Sequence, residues 1–353
     1  MKYSKYALAL SLGAMGVTPV QAAHIQSFGQ SEACISRGGA CVALQGDFGA
    51  FYHNPSAAAG FDQALLGSTF RILDTRQVDL KDSNGNQSIS RSNTEGDYVL
   101  APSLGGYLPI GDKVVVGLGI GAPFAITADW GNDEGIHRYN MSDQSLYVLD
   151  VSPTIAFKVN DQLRSGAALN IVMGKQLRTE SLFPQSFGAA LPPSLGGLGT
   201  VIPTTPDSPV IGSLLLESDG DFGLGIPPDQ FNADFDSFSV TLGAQYDVND
   251  RWGVGVVYRS KTSLDWEGSL TLDLSAAGAG IQTTRFNTKL DGPGHLQLGV
   301  AWQAIPDKLE LSADIQRTFW SDTEGFGKQL VIESSDPLLG FINDLAVDYN
   351  AKD

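Results

Sequence analysis

The sequence predicts an all-β chain, a transmembrane antiparallel β-barrel, on three observations. From Leu65 onward apolar residues alternate with polar residues or glycine, segment after segment. That is the period of a strand with two unlike faces. Short polar turns alternate strictly with long connections, the pattern of a barrel with tight periplasmic turns and longer extracellular loops. The N-terminus carries an export signal, which puts the chain where such barrels live.

The export signal is read over residues 1–22. Lys2 and Lys5 form a basic start, Ala7 to Val17 a short apolar run, and Val20-Gln21-Ala22 a small-residue cleavage pattern after Pro19. That run is too short to anchor the chain, and no later segment offers the roughly 18 to 20 apolar residues a membrane helix needs. A mean hydropathy of −0.03 with 41 glycines suits neither a Leu-rich bundle nor a disordered chain. The net charge of −17 excludes nucleic acid, whose phosphates require a basic surface. Cys34 and Cys41 fit neither a CxxC motif nor a zinc site. In an oxidising compartment they form one local disulfide or remain two buried thiols, and both readings stand. No cofactor and no metal is expected.

The strands follow in order. Phe238, Val240, Leu242, Ala244, Tyr246 and Val248 alternate with serine, threonine, glycine, glutamine and aspartate. The runs beginning at Trp252, Leu296 and Leu309 alternate in the same way. A soluble sandwich would show this too, so the connections decide. Pro109 to Asp112, Asn160 to Gln162, Asn249 to Arg251 and Pro306-Asp307 are tight turns. Between them lie long connections at about 74–97, 129–145, 184–234 and 273–283. Nine strands result, at roughly 64–74, 98–109, 113–127, 146–159, 163–182, 235–248, 251–272, 284–304 and 308–334. Phe157, Tyr246, Trp252 and Trp302 fall beside the short turns, with Phe319 and Trp320 at the far end of their strand, as two interfacial girdles require.

Ile35 to Phe61, ISRGGACVALQGDFGAFYHNPSAAAGF, precedes the first strand and carries an Asn-Pro-small tripeptide at Asn54, Pro55 and Ser56. It resembles the N-terminal plug of the FadL/TodX (OmpP1) family, outer-membrane transporters of long-chain fatty acids and other hydrophobic compounds. Gly119 to Tyr139, with its Ala-Pro-Phe step, and Val151 to Lys158, followed by a turn and Gly166 to Asn170, resemble later family segments in the same order. The resemblance implies a fourteen-stranded barrel whose lumen is blocked by a plug (hatch), here residues 23–62, with residues 63–353 forming the wall. It also implies a kink in the third strand that opens a lateral gap, through which substrate leaves sideways into the bilayer. Only nine strands are read where the family implies fourteen, so the expectation is a C-terminally truncated chain lacking about five strands.

The residues give that mechanism candidate sites. The 184–234 loop and its approach are apolar where a loop should be polar, with Phe183, Phe187, Leu191, Leu195, Leu198, Leu214 and Leu215 interleaved with Pro, Gly and Ser. Such a patch captures a hydrophobic solute, or packs on itself as a lid. Gly119, Gly121, Ala122, Pro123 and Phe124 mark the break in the third strand, since proline removes a ladder donor and interior glycine marks bends. The alternative there is a bulge without an opening. Asn54, Pro55 and Ser56 form the plug's return turn, or an ordinary corner. Arg71, Arg164 and Arg259 lie on the lumen phase and either meet a substrate carboxylate or balance lumen acids such as Asp150 and Asp247. Arg37, Asp47 and Asp62 could seat the plug through wall charges.

Enzyme chemistry is not expected. The four histidines are scattered, none sits in a nucleophile motif, and the glycine-rich stretch at Gly117 lacks the helix a phosphate loop requires. The reading is therefore passive, plug-gated uptake of a long-chain fatty acid or aromatic hydrocarbon by a monomer set in outer-membrane lipid and lipopolysaccharide. The alternatives are a general porin, or a surface receptor that transports nothing.

Overall fold

Period-two sequence becomes one continuous antiparallel sheet wrapped around the N-terminal segment. The computed structural model describes residues 29–74, 78–81, 88–91, 98–129, 143–182, 212–220, 237–263, 265–275, 280–289, 291–306, 308–325, 327–328 and 332–334. The export signal and Phe183, Phe187, Leu191, Leu195 and Leu198 lie outside them.

In chain order come α1 (Glu32–Ile35), α2 (Ala50–His53) and a 3-10 turn at Pro55–Gly60, then the strands. These are β1 (Leu65–Asp74), β2 (Val78–Lys81), β3 (Ser88–Arg91), β4 (Tyr98–Ile110), β5 (Val114–Asp129), β6 (Asp143–Lys158) and β7 (Leu163–Leu182). They continue with β8 (Gly212–Gly220), β9 (Phe238–Asn249), β10 (Trp252–Arg259), β11 (Asp265–Leu274) and β12 (Gly280–Lys289). The last are β13 (His295–Ile305), β14 (Leu309–Thr318) and β15 (Ile332–Ser334).

β1, β4, β5, β6 and β7 pair successively as a meander, and β2 and β3 make a separate hairpin inside the first long connection. At β7 the sheet divides. Leu163 to Ile171 pairs with β9, and Leu182 to Gly174 with β8. One branch continues through β10, β13 and β14, the other through β11, β12 and β15. Because β10 leads directly into β11, and β12 into β13, the branches are the two halves of the same wall strands, broken near mid-height. Among the described residues nine wall positions result, at the nine segments read from sequence.

Two readings change. The connection read as a loop over 184–234 contains β8, which paves the upper half of the wall position whose lower half is β9. Leu214 and Leu215 are therefore on a strand, opposite Glu180 and Thr179 of β7. The long segments 251–272, 284–304 and 308–334 are each interrupted. At the breaks a lone bridge joins Thr262 to Gly292, Lys261 pairs with Asp291 at 2.6 Å, and Asp291 also accepts the Glu324 N–H.

The faces settle which solvent the wall was built for. Leu66 and Phe70 are 76 % and 70 % exposed, and Leu242, Tyr246, Val254, Val256 and Ile315 also point outward. Ser239, Thr241, Asn170, Ser152 and Asp150 point inward and are buried. A soluble sandwich would bury the apolar phase, whereas a membrane barrel presents it to lipid. Tight turns close the lower ends: the Asn160 side chain accepts from Gln162 and Leu163 N–H, and Asn249 from Arg251 and Trp252 N–H. Trp252 and Trp302 stack beside them, centroids 5.3 Å apart, as one girdle of an interface.

Candidate functional site

The concave face of the sheet is occupied by the segment from Gly29 to Phe61, and wall glycines make room for it. A β-carbon at Gly67 would stand 2.6 Å from the Phe48 ring, and one at Gly299 2.7 Å from Val42. At Gly166 it would meet backbone, 2.5 Å from the Pro55 carbonyl carbon and 2.6 Å from the Ser56 nitrogen. Gly105 and Gly255 would collide with the Phe48 and Val42 carbonyl oxygens, and Gly119 with the Phe51 ring. These glycines occupy the inward phase of different strands, which is why that phase reads as "polar or glycine". Toward the lower turns, Ala50, Ala57, Ala58 and Ala59 pack on Tyr107, Val115 and Ala156 of the wall.

Polar contacts fix the register of plug on wall. Tyr107 donates to the Phe48 carbonyl and accepts the Phe51 N–H, both at 2.8 Å. Asp314 takes the Cys41 and Val42 N–H groups at 2.7 and 2.9 Å, and the Gln245 amide donates to the Val42 and Leu44 carbonyls. Asn54 caps the 3-10 turn by accepting the Ser56 N–H, and donates to Val42 O at 2.7 Å. Asn54, Pro55 and Ser56 are thus a fully buried corner against Gly166 and Gly243. Arg37 reaches Glu310 of the wall at 3.1 Å, Asp47 instead bonds Ser31 within the plug, and Asp62 is exposed.

Cys34, within α1, and Cys41 are joined as a disulfide that closes the turn following the helix. His53 approaches them, Nδ1 3.6 Å from the Cys34 sulfur, so the three residues cluster as metal ligands might. Two facts speak against that use of the site. The sulfurs are spent on each other, and the His53 Nε2 accepts the Gln30 N–H at 3.2 Å, which leaves the ring proton on the Nδ1 facing the sulfur.

His53 retains some surface contact but is surrounded by protein at longer range. That desolvation, with the Arg71 charge, lowers its pKa from 6.5 to about 3. A released plug would bind a proton below 6.5, whereas the seated plug does not until about 3. His53 therefore leaves seating unopposed above 6.5 and opposes it increasingly as pH falls from 6.5 towards 3. Burial raises the Asp47 pKa, which acts in the opposite direction at the acid end. Hydrogen exchange of the plug amides, corrected for intrinsic rate, should accelerate between pH 7.5 and pH 5.5, and His53→Gln should flatten that slope.

The three lumen arginines differ. Arg164 Nη2 donates to both Asp247 carboxylate oxygens at 2.7 Å, and Arg259 pairs with fully buried Asp150 while lying 5.0 Å over the Tyr52 ring. Both therefore balance lumen acids. Arg71 instead donates to Gln30 Oε1 and to the Ala122 carbonyl.

Ala122 marks the break in the wall. The β4–β5 ladder runs from Ile110↔Val114 to Ser103↔Gly121 and stops there. Above it the rest of β4 pairs only with β1 and the rest of β5 only with β6, whose register shifts between Gly121 and Phe124. The next two opposed positions, continuing the same register, would be Pro102 with Ala122 and Ala101 with Pro123. Bonded and non-bonded pairs alternate along such a ladder, and Pro102 with Ala122 is the bonded one, so the missing Pro102 N–H gives the ladder a physical reason to end. Gly119 and Gly121 lie just below, under Phe51 and Gln30, while Ala122 and Pro123 are buried. The Phe124 side chain lies outside the described residues. The sequence reading named Gly119 to Phe124, which include the β5 residues where the ladder ends. It passed over Pro102, Tyr107, Gln30 and Asp314, of which only Pro102, a proline inside a strand run, carried a local signal.

Residues 13–340 match the family of outer membrane transport proteins described as OMPP1/FadL/TodX. Among curated proteins none is similar enough to register as a match. A Pseudomonas aeruginosa FadL homologue of known structure is similar at TM-score 0.66 and 19 % identity, over 88 % of this chain and 72 % of its own. The Pseudomonas putida toluene transporter TodX is similar at 0.62 and 17 %, over 85 % and 72 %. The Ralstonia pickettii toluene transporter TbuX is similar at 0.63 and 20 %, over 93 % and 80 %.

Proposed function

The chain belongs to the OMPP1/FadL/TodX family of bacterial outer membrane β-barrel transport proteins, and from that premise we propose that it admits long-chain fatty acids or aromatic hydrocarbons and releases them sideways through the gap between β4 and β5. The observation that carries this reading is the end of the β4–β5 ladder at Ser103↔Gly121, level with the plug. Below that level the lumen is filled, with Phe51 and Gln30 fully buried between plug and wall. An apolar solute entering from above meets the plug and, between β4 and β5, an unpaired seam. A general porin would need an open lumen, and the plug argues against it. Capture from outside falls to the apolar stretch Phe183, Phe187, Leu191, Leu195 and Leu198, with Leu214 and Leu215 on β8. Exit into the bilayer suits such cargo, because transfer of apolar surface out of water is favourable.

Of the two cargo classes, the hydrocarbon needs no charge partner. Arg164 and Arg259 are already held by aspartates, which favours a neutral cargo over a carboxylate at those two positions. Cells lacking their own transporters and expressing the full chain should accumulate radiolabelled toluene or oleate. Replacing Pro102 by valine restores the one donor that would face the seam, and replacing Pro123 with it removes the second backbone constraint, so the double variant should zip the seam and reduce uptake towards background in a barrel that still folds. Unchanged uptake in that variant would sink the lateral route.

A further inference from the structure

The seam is not left open on its inner side. Ala122, whose carbonyl stands at the first position beyond the β4–β5 ladder, accepts two donors from elsewhere: Gln30 Nε2 at 3.1 Å and Arg71 Nη2 at 3.2 Å. The same Arg71 nitrogen donates to Gln30 Oε1 at 3.1 Å. One plug residue, one residue of β1 and one of β5 therefore form a closed triangle of hydrogen bonds. Arg71 reaches β5 by passing over Ala101 of β4, its own register partner, whose fully buried methyl leaves room for the guanidinium. Gln30 is fully buried, and a β-carbon at Gly121 would lie 2.7 Å from its Oε1, so glycine is what lets it reach the seam.

The geometry points to a clasp: Arg71 and Gln30 hold the start of the plug across the β4–β5 seam by sharing the Ala122 carbonyl, and the seam opens when that triangle breaks. This rests on the lateral route proposed above and names the residues that regulate it. The clasp is linked to the rest of the plug. The Gln30 N–H is bonded to His53, and neighbouring Ser31 donates to Asp47, so releasing Gln30 loosens the segment that anchors α1 against α2. A charged donor makes the strongest of the contacts, and removing it leaves two buried polar partners short of a bond.

The test uses the full chain refolded in lipid nanodiscs, with Arg71→Met and Gln30→Leu, of which the second alters only the plug and leaves the wall intact. Folded barrels are selected by their heat-dependent gel mobility. Hydrogen exchange is read on residues 29–36, and uptake of radiolabelled toluene on cells expressing the same variants. The expected result is exchange faster by about tenfold in both variants, as for loss of one or two buried bonds, together with faster uptake. Arg71→Lys, which keeps the charge but not the planar donor set, should fall between. Unchanged exchange in either variant overturns the clasp. Faster exchange with slower uptake also overturns it, because Arg71 would then be needed by the cargo rather than by the plug. If the unaltered chain takes up no toluene or oleate, the transport reading fails, while exchange still decides whether the triangle holds the plug.

Discussion

Gly166→Val should unseat the plug and turn a closed barrel into a leaky one. Its β-carbon would stand 2.5 to 2.6 Å from backbone atoms of Pro55 and Ser56, where no rotamer change relieves the overlap. Ser56 cannot retreat easily, because its N–H and hydroxyl are both bonded to the Asn54 Oδ1, and Asn54 is itself tied to Val42 O. Nor can Gly166 retreat, since it is laddered on both sides, to Ala156 of β6 and Gly243 of β7's other neighbour β9. Overpacking in a tight core costs about 1–3 kcal/mol, and a branched residue against fixed backbone belongs at the upper end. The expected readouts are sensitivity of expressing cells to bulky hydrophilic antibiotics and a rise in single-channel conductance, with barrel mobility on gels retained. By contrast Gly253→Val, on a wall strand where a β-carbon meets nothing closer than 3.6 Å, should leave permeability unchanged. Equal leakage from the two variants would show that the glycine row does not seat the plug.

That contrast also marks what the sequence made legible. Alternation and turn chemistry are local, so the wall strands, their inward and outward faces and the lower turns at Asn160 and Asn249 could be read directly. Pro123, where the β5–β6 register shifts, carried a local signal for the same reason. The inward glycines were visible as part of the polar phase, but their purpose depends on a plug that meets them only in three dimensions. Where the long strands break, one break carried a signal. Asp291-Gly292-Pro293-Gly294 interrupts the alternation, whereas Ser260 to Ser263 reads as a plausible strand. β8 escaped because it is only the upper half of a wall position, whose lower half, β9, begins much later in the chain at Phe238. The arginine pairings could not be settled at all. Arg164 is 83 residues from Asp247 and Arg259 is 109 from Asp150, and nothing but strand register brings them together.

Of those pairs, Asp150 with Arg259 has the larger consequence. Both side chains are buried, Asp150 completely, and the aspartate is also bonded by the Ser152 hydroxyl, whose oxygen lies 3.0 Å from Asn170 Oδ1. Asn170 in turn donates to Ser239 and Thr241, so one polar layer crosses β6, β7 and β9 at the level of the plug. Removing one member of a buried ion pair strands the other charge, at about 3–5 kcal/mol, whereas removing both can be nearly neutral. Asp150→Leu should therefore destabilise the barrel severely in urea titrations, and Arg259→Met nearly as much, with the Arg259 variant also freeing Tyr52, over which the guanidinium lies. Asp150→Leu combined with Arg259→Met should recover most of the loss. Recovery of wall stability without recovery of plug protection would separate the two tasks of Arg259, one within the wall and one across to the plug. If the combined variant is as unstable as the sum of the single ones, the pair is not coupled, and the layer is held by its serine, threonine and asparagine bonds instead.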